Sequence, residues 1–186
     1  MLVNRENSLS KSYIPTDLVD AGSSYKEKIL INKQALEKFN MMKNDASLLG
    51  YKIDIMSGYR DYFYQEKIYN RLLKEKGLSY TLRSVAKAGC SEHQTGLAID
   101  ICVYRDNKCY IEHELEDTEE VNWVMNNAYK YGFILRYPKD MEDKTGYNYE
   151  PWHYRYVGDI AEYLYRHRIL LDEFKRDNGF VGQMSH

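Results

Sequence analysis

Hydrophobic and polar residues follow one another along the chain with two periods, one typical of helices and the other typical of strands. Apolar residues at helical spacing predict three amphipathic helices, each followed by a glycine: 32–49 before Gly50, 61–76 before Gly77 and 117–131 before Gly132. In the first helix the expected buried positions are Leu36, Phe39, Met42, Ala46 and Leu49. Asp61 can cap the second helix, and Asp117 with Glu120 has the spacing of a capping box for the third.

Shorter apolar runs predict four strands: YKIDIM (51–56), GLAIDICV (96–103), FILRY (133–137) and WHYRYV (152–157). Residues 1–30, with Pro15, Gly22 and paired serines, are expected to form an extended arm, and residues 159–186 terminal helices. Helices and strands mix without regular βαβ alternation. The expected fold class is therefore α+β, with a small, largely antiparallel sheet flanked by helices.

Composition and charge narrow the class of protein. The chain has 186 residues, 44% apolar and 29% charged side chains and a formal net charge of −2, which suits one compact domain over residues 1–186. Because no run concentrates basic residues, we expect no nucleic-acid partner. No stretch reaches the roughly 18 apolar residues of a membrane span, and the N-terminal residues lack the apolar core of a signal peptide. The sequence is compatible with a cytoplasmic protein or with the extracellular catalytic domain of a membrane-anchored or secreted parent. We expect a monomer.

Three cysteines, Cys90, Cys102 and Cys109, are odd in number and lack CxxC spacing. They indicate neither a disulfide framework nor a zinc ribbon. We expect them to be free and to pack as small hydrophobic side chains.

An acidic residue interrupts the most apolar of the predicted strands. Asp100 follows Leu97, Ala98 and Ile99 and precedes Ile101, Cys102 and Val103. An isolated carboxylate in such a strand is unfavourable, so it would normally take up a proton and become neutral, pair with a cation or bind a metal. Arg136 or Arg155 would serve as a cationic partner, and a metal ion is the alternative.

Other polar residues at the ends of apolar segments favour the metal. A catalytic zinc takes three protein ligands of the histidine and carboxylate type, and His93, Asp100 and His153 supply such a set. Taken alone, His93 is more typical of a surface or hydrogen-bonded core histidine than of a ligand. Glu150, three residues before His153, can serve as a general base beside the metal. Pro151 between them excludes a helical HExxH arrangement and places the pair on a loop entering a strand.

The combined motifs resemble a known family. The pattern SxHxxGxAxD is formed by Ser91, His93, Gly96, Ala98 and Asp100, and the pattern ExWH by Glu150, Trp152 and His153. Together they are similar to the VanY-type D-alanyl-D-alanine carboxypeptidases, a group of zinc-dependent peptidoglycan peptidases. The resemblance covers nearly the whole chain, from LVNRENSL through SGYR and YGFILRYP to EPWHYRYVG.

The resemblance implies a role for each matching position. It makes His93, Asp100 and His153 the zinc ligands and Glu150 the catalytic base. It places Arg60 and Gln65 in the substrate pocket, where Arg60 would grip the substrate's terminal carboxylate. Further substrate contacts are implied for Ser91, Tyr137 and Trp152.

The resemblance also implies an activity. The expected reaction is zinc-dependent removal of the C-terminal D-alanine from peptidoglycan stem peptides or their precursors. An L,D-carboxypeptidase and a D,D-dipeptidase share the same catalytic set and stay open as alternatives. A catalytically silent peptide-binding module is a further alternative, which the intact Glu150 disfavours.

Overall fold

Antiparallel strand pairing organises the part of the chain that this computed structural model describes, namely residues 1–22, 28–105, 108–111 and 116–178. Two short strands, β1 (Leu18–Asp20) and β2 (Leu30–Asn32), pair with each other. The main sheet consists of β3 (Ile53–Ser57), β4 (Ala98–Arg105), β5 (Lys108–Tyr110), β6 (Phe133–Leu135) and β7 (His153–Tyr156). Its strand order is β3-β4-β7-β6, with β5 paired to the end of β4.

Seven α-helices accompany these strands in the described residues. They are α1 (Lys33–Leu48), α2 (Tyr62–Lys76), α3 (Leu78–Ser84), α4 (Glu119–Asn127), α5 (Glu142–Thr145), α6 (Ile160–His167) and α7 (Leu171–Asn178). The mixture of helices with antiparallel pairs confirms the predicted α+β class. None of the helices in these ranges combines the length and the apolar character that crossing a bilayer requires.

The main core lies between α1 and the sheet. The buried face of α1 consists of Ala35, Phe39, Met42 and Ala46, which pack in one cluster with Ile53, Ile55, Ile99 and Ile101 of the sheet. Side chains alternate across a strand, so Ile99 and Ile101 point to this core while Asp100 points to the other face. The register then sets Asp100 opposite His153 of β7 and opposite Ser57 of β3. This pairing brings the ends of three sequence-distant segments to one place.

Helix boundaries agree with the sequence prediction in most places. Asp61 caps α2, where its side chain accepts a hydrogen bond from Tyr64 N at 2.7 Å, and Gly77 ends the helix. The predicted cap at Asp117 is wrong by one residue. The helix starts at Glu119, so the cap position falls on Thr118, whose Oγ1 accepts from Val121 N at 3.4 Å. Leu49, expected on the buried face of α1, is exposed beyond its last turn.

The structure contains elements that the sequence did not predict. The short helix α3 was not predicted, because Gly77 both ends α2 and precedes α3 directly. The expected arm contains β1, and residues 1–17 before it have no helix or strand. Residues 23–27 of that arm and residues 179–186 of the expected terminal helices lie outside the described residues.

The cysteines also differ from expectation. Cys102 in β4 and Cys109 in β5 form a disulfide, with their Cα atoms 5.4 Å apart, while Cys90 is free. The prediction of three free cysteines was therefore wrong for two of them. Antiparallel pairing of β4 with β5 brings these positions together, a proximity that cysteine number and spacing alone do not reveal.

Candidate active site

Three buried side chains with metal-binding atoms meet at one end of β4. His93 lies in a 3-10 turn, Glu92–Thr95, just before the strand, Asp100 lies in β4, and His153 begins β7. Asp100 Oδ1 lies 3.3 Å from His93 Nε2 and 3.1 Å from His153 Nδ1. Ligand atoms of the three residues all lie within 4.8 Å of one another. Two imidazoles and one carboxylate at such distances can hold a zinc-type cation.

The orientation of His93 fits a cation. Its Nδ1 lies 2.6 Å from the carbonyl oxygen of Gly58. A carbonyl can only accept, so Nδ1 carries the proton and the lone pair is on Nε2. That Nε2 is buried and has no hydrogen-bond partner in the described part of the chain. Gly58 itself is required here, because a Cβ at this position would clash with the backbone carbonyl of Leu30.

Asp100 connects the histidines to an arginine. Its Oδ2 accepts a hydrogen bond from Arg60 Nη2 at 3.0 Å, while Oδ1 faces both imidazoles. Burial is the largest influence on the pKa of Asp100 and raises it, but His93, His153 and Arg60 together hold the pKa well below its usual value. The carboxyl group is therefore an anion, as a metal ligand must be.

Arg60 and Gln65 form a pair beside this carboxylate. Arg60 Nη1 donates to Gln65 Oε1 at 3.2 Å, and Gln65 Nε2 donates to the carbonyl of Ala86 at 2.8 Å. Gln65 is buried on α2, which begins two residues after Arg60. Arg60 Nε is buried and has no partner among the described residues. The guanidinium is thus held at two nitrogens, with a third donor unused.

Glu150 lies beside the same imidazole as Asp100. Its Oε2 is 3.8 Å from His153 Nδ1, and its backbone carbonyl accepts from His153 N at 3.2 Å. Burial, helped by the nearby charge of Asp100, raises the pKa of Glu150 to about 7 against the opposing effects of His153 and Arg60. A carboxyl group with a pKa near neutrality can both accept and release a proton.

The remaining predicted residues fall into two groups. Tyr137 is buried with its ring centroid 4.9 Å from that of His153, and its carbonyl accepts from Glu150 N at 3.1 Å. Ser91 is buried directly before the turn that contains His93. Trp152 directly precedes His153, and with Ile101 and Val124 it lines a cavity of about 20 Å³.

Glu92 belongs to the site but was not predicted from the sequence. This carboxylate is 1% exposed, and its Oε1 lies 2.9 Å from Arg136 Nε and 3.0 Å from Arg155 Nη1. Burial is the largest influence on its pKa and raises it, but the two arginines hold the pKa well below the usual range. Arg136 and Arg155, considered as partners of Asp100, therefore pair with Glu92, while Arg60 pairs with Asp100. In the sequence, only the position of Glu92 next to His93 pointed to a role in the site. A sequence does not show whether a charged residue beside a predicted ligand is buried.

A buried cluster of two histidines and a carboxylate beside a second carboxyl group defines a metal-dependent hydrolase site. Comparison with known proteins identifies the family. The model of the VanY family, described as D-alanyl-D-alanine carboxypeptidase, matches residues 28–159, and the chain belongs to this peptidase family.

Individual relatives agree with this assignment. The chain is 42% identical over 179 residues to the putative carboxypeptidase YodJ of Bacillus subtilis (strain 168), covering 93% of this chain and 65% of that protein. The chain thus spans slightly less than two thirds of this relative. A solved LdcB LD-carboxypeptidase matches with a TM-score of 0.86 and 41% identity, over 94% of this chain and 84% of that one. A solved vancomycin-resistance D,D-pentapeptidase VanY in complex with Zn(II) matches with a TM-score of 0.80 and 32% identity, over 94% of this chain and 97% of that one.

Proposed function

We propose that this protein is a zinc-dependent D,D-carboxypeptidase that removes the C-terminal D-alanine from peptidoglycan stem peptides or precursors. The observation on which this rests is the buried cluster of His93, Asp100 and His153 with Glu150 3.8 Å from His153. The unpaired, buried Nε2 of His93 fits zinc, and the related VanY structure contains Zn(II). When bound, zinc acidifies water and polarises the carbonyl to be cleaved.

Glu150 is the proposed general base. It lies beside the metal-binding face of His153, and its pKa of about 7 suits reversible proton transfer at neutral pH. In the proposed reaction Glu150 accepts a proton from the attacking water and returns it to the amine of the leaving D-alanine. A silent peptide-binding module would have no use for a buried carboxyl group at this position.

Arg60 is the proposed anchor for the substrate's terminal carboxylate. Asp100 and Gln65 hold its guanidinium next to the cluster, and its Nε has no partner in the described ranges. A guanidinium binds carboxylates through directed, charge-assisted hydrogen bonds. Recognition of a free carboxylate would restrict cleavage to the last peptide bond.

Ser91 and Tyr137 are proposed as further substrate contacts, because both lie next to residues of the cluster. Trp152 is proposed as a further contact, because it directly precedes His153 in the chain. One chain supplies all of the proposed roles, so a monomer, the proposed state, would suffice for catalysis.

An L,D-carboxypeptidase is the second candidate function. The LdcB structure matches this chain with higher identity and TM-score than the VanY structure does. Both types of enzyme cleave a terminal D-alanine and differ in the configuration of the residue before it. The family description favours the D,D activity, and the LdcB likeness favours the L,D activity.

Release of D-alanine from three substrates separates these functions. The purified protein is given a stem pentapeptide ending in D-Ala-D-Ala, a tetrapeptide with an L-centre before its terminal D-alanine, and free D-Ala-D-Ala, each with and without a chelator. We expect chelator-sensitive release from the pentapeptide. Release from the tetrapeptide alone would establish the L,D activity, and release from the dipeptide alone the dipeptidase. Absence of any product from zinc-loaded protein would contradict the enzyme proposal.

A further inference from the structure

Glu92 lies behind His153, on the side of the ring away from Asp100. His153 Nδ1 is 3.1 Å from Asp100 Oδ1, and His153 Nε2 is 3.7 Å from Glu92 Oε2. Both Nε2 and Oε2 are buried, and neither has a hydrogen-bond partner among the residues that the structure describes. Their 3.7 Å separation is about 0.5 Å beyond the usual upper limit for an N–H···O hydrogen bond. Within the described ranges, each of these two atoms is thus the evident partner of the other.

Two arginines fix which oxygen of Glu92 is available. Arg136 Nε and Arg155 Nη1 both lie within 3.0 Å of Oε1. Arg136 is held in turn by Asp172, at 2.7 Å and 3.0 Å from its other two nitrogens. Oε1 is occupied by the hydrogen bond from Arg136 Nε and by the ion pair with Arg155, so Oε2 is left for His153.

The two ligand histidines are therefore supported differently. His93 donates from Nδ1 to a neutral backbone carbonyl, that of Gly58, and presents Nε2 to the site. His153 presents Nδ1 to the site and has a buried carboxylate behind its Nε2. The rings of His93 and Tyr137, each with its centroid 4.9 Å from that of His153, leave the His153 ring little room to turn.

We infer that Glu92 is a positioning residue for the metal centre: it accepts the Nε2–H of His153 and so holds the tautomer whose Nδ1 lone pair binds the metal. The inference rests on the zinc centre of the proposed function. A carboxylate behind a ligating imidazole fixes its tautomer and orientation and makes it a stronger ligand. Arg136 and Arg155, at 2.9 Å and 3.0 Å from Oε1, hold that carboxylate in the orientation that turns Oε2 to His153.

Glu92→Gln tests this directly. The amide oxygen must face the two arginines, so the amide NH₂ faces Nε2 of His153, and two donors then meet. The other tautomer, with its proton on Nδ1, is favoured and competes with metal binding. We expect the zinc dissociation constant, measured by competition with a chromogenic chelator, to rise by about 10- to 100-fold. We also expect the visible spectrum of the Co²⁺-substituted protein to change.

Asp172→Asn is the matched control. Like Glu92→Gln, it converts a carboxylate paired with Arg136 into an amide. Asp172, however, accepts from Nη1 and Nη2 of Arg136, the two nitrogens that do not face Glu92. It should lower the thermal stability of the chelator-treated protein, as Glu92→Gln does, and leave the zinc dissociation constant within about twofold of wild type. An equal loss of affinity in both variants would show a purely structural role and overturn the inference. Wild-type affinity in Glu92→Gln would also overturn it, without affecting the proposed function, whereas a wild-type protein that binds no zinc would overturn both.

A measurement on the wild-type protein keeps the inference testable if Glu92→Gln fails to fold. In protein loaded with ¹¹³Cd and labelled with ¹⁵N-histidine, scalar coupling identifies the nitrogen that binds the metal. We expect coupling to Nε2 of His93 and to Nδ1 of His153, and a proton on His153 Nε2 that exchanges slowly. Coupling to Nε2 of both histidines, or an unprotonated and unbound Nε2 on His153, would contradict the role of Glu92.

Discussion

The two faces of β4 are built on different principles. On one face Ile99 and Ile101 pack into an apolar core with α1. On the other face Asp100 is buried among histidines and within hydrogen-bonding distance of Arg60. Burial of apolar area stabilises the first face without any ligand. Burial of charges is unfavourable unless each charge is paired, so the second face depends on its ion pairs and on a bound cation.

The difference shows how one strand can serve stability and chemistry at once. Side-chain alternation lets the apolar face fix the backbone rigidly, and the same backbone then positions the ligands. The polar face places His153 Nδ1 3.1 Å from Asp100 Oδ1 and 3.8 Å from Glu150 Oε2. Changes on the polar face should therefore alter activity or metal binding, and changes on the apolar face should alter stability.

The largest expected effect is on the polar face. Glu150→Ala should lower kcat by roughly two to four orders of magnitude, the usual contribution of a general base. Zinc content should stay at the wild-type level, because Glu150 is proposed as a base and not as a ligand. The free energy of unfolding should not fall, since burial raises the pKa of this carboxyl group and thus opposes its charged form. Turnover and metal content measured on one preparation check both points, and a nearly active variant would require another base.

Substitutions on the apolar face should lower the free energy of unfolding and leave zinc binding unchanged. Phe39 is fully buried in the core between α1 and the sheet. Phe39→Ala should lower the free energy of unfolding by about 3 to 5 kcal/mol, because it removes buried area and leaves a cavity. Zinc affinity of the folded fraction should not change. Leu48→Ala, at the exposed end of the same helix, is the control and should stay within about 0.5 kcal/mol of wild type in denaturant titrations.

A smaller effect on kcat/KM is expected from replacing Arg60, because this residue is proposed to bind the substrate's terminal carboxylate. Arg60→Ala should lower kcat/KM for a free-acid peptide by at least about tenfold, the loss of roughly one charge-assisted hydrogen bond. A C-terminally amidated peptide is the control, because it lacks the charge that Arg60 would bind. Wild type should prefer the acid strongly, and the variant should lose most of that preference. An unchanged preference in Arg60→Ala would mean that another cation binds the carboxylate.

The sequence predicted the features that depend on local pattern. Helical period and flanking residues located α2 between Asp61 and Gly77, and the apolar run around Asp100 located β4. The odd placement of Asp100 in that run was enough to predict a metal or an ion pair, and the structure shows its carboxylate beside two histidines and an arginine. These signals are local because helix caps and strand alternation involve neighbouring residues.

The features that escaped prediction depend on contacts between distant segments. Glu92 is a buried charge whose partners, Arg136 and Arg155, come from two other strand regions. The Cys102 and Cys109 pairing depends on the register of β4 with β5. Spacing along one sequence does not encode such register, so these residues needed the three-dimensional structure.

Zinc content tests the central claim most directly. Elemental analysis of the purified protein should find about one zinc per chain, and His153→Ala and Asp100→Ala should lose most of it, because a catalytic zinc site normally requires three protein ligands. Cys90→Ser, which changes the free cysteine near the cluster without removing a ligand, should keep the metal. Full zinc occupancy in His153→Ala, or wild-type protein without zinc after growth and purification with zinc supplied, would contradict the account.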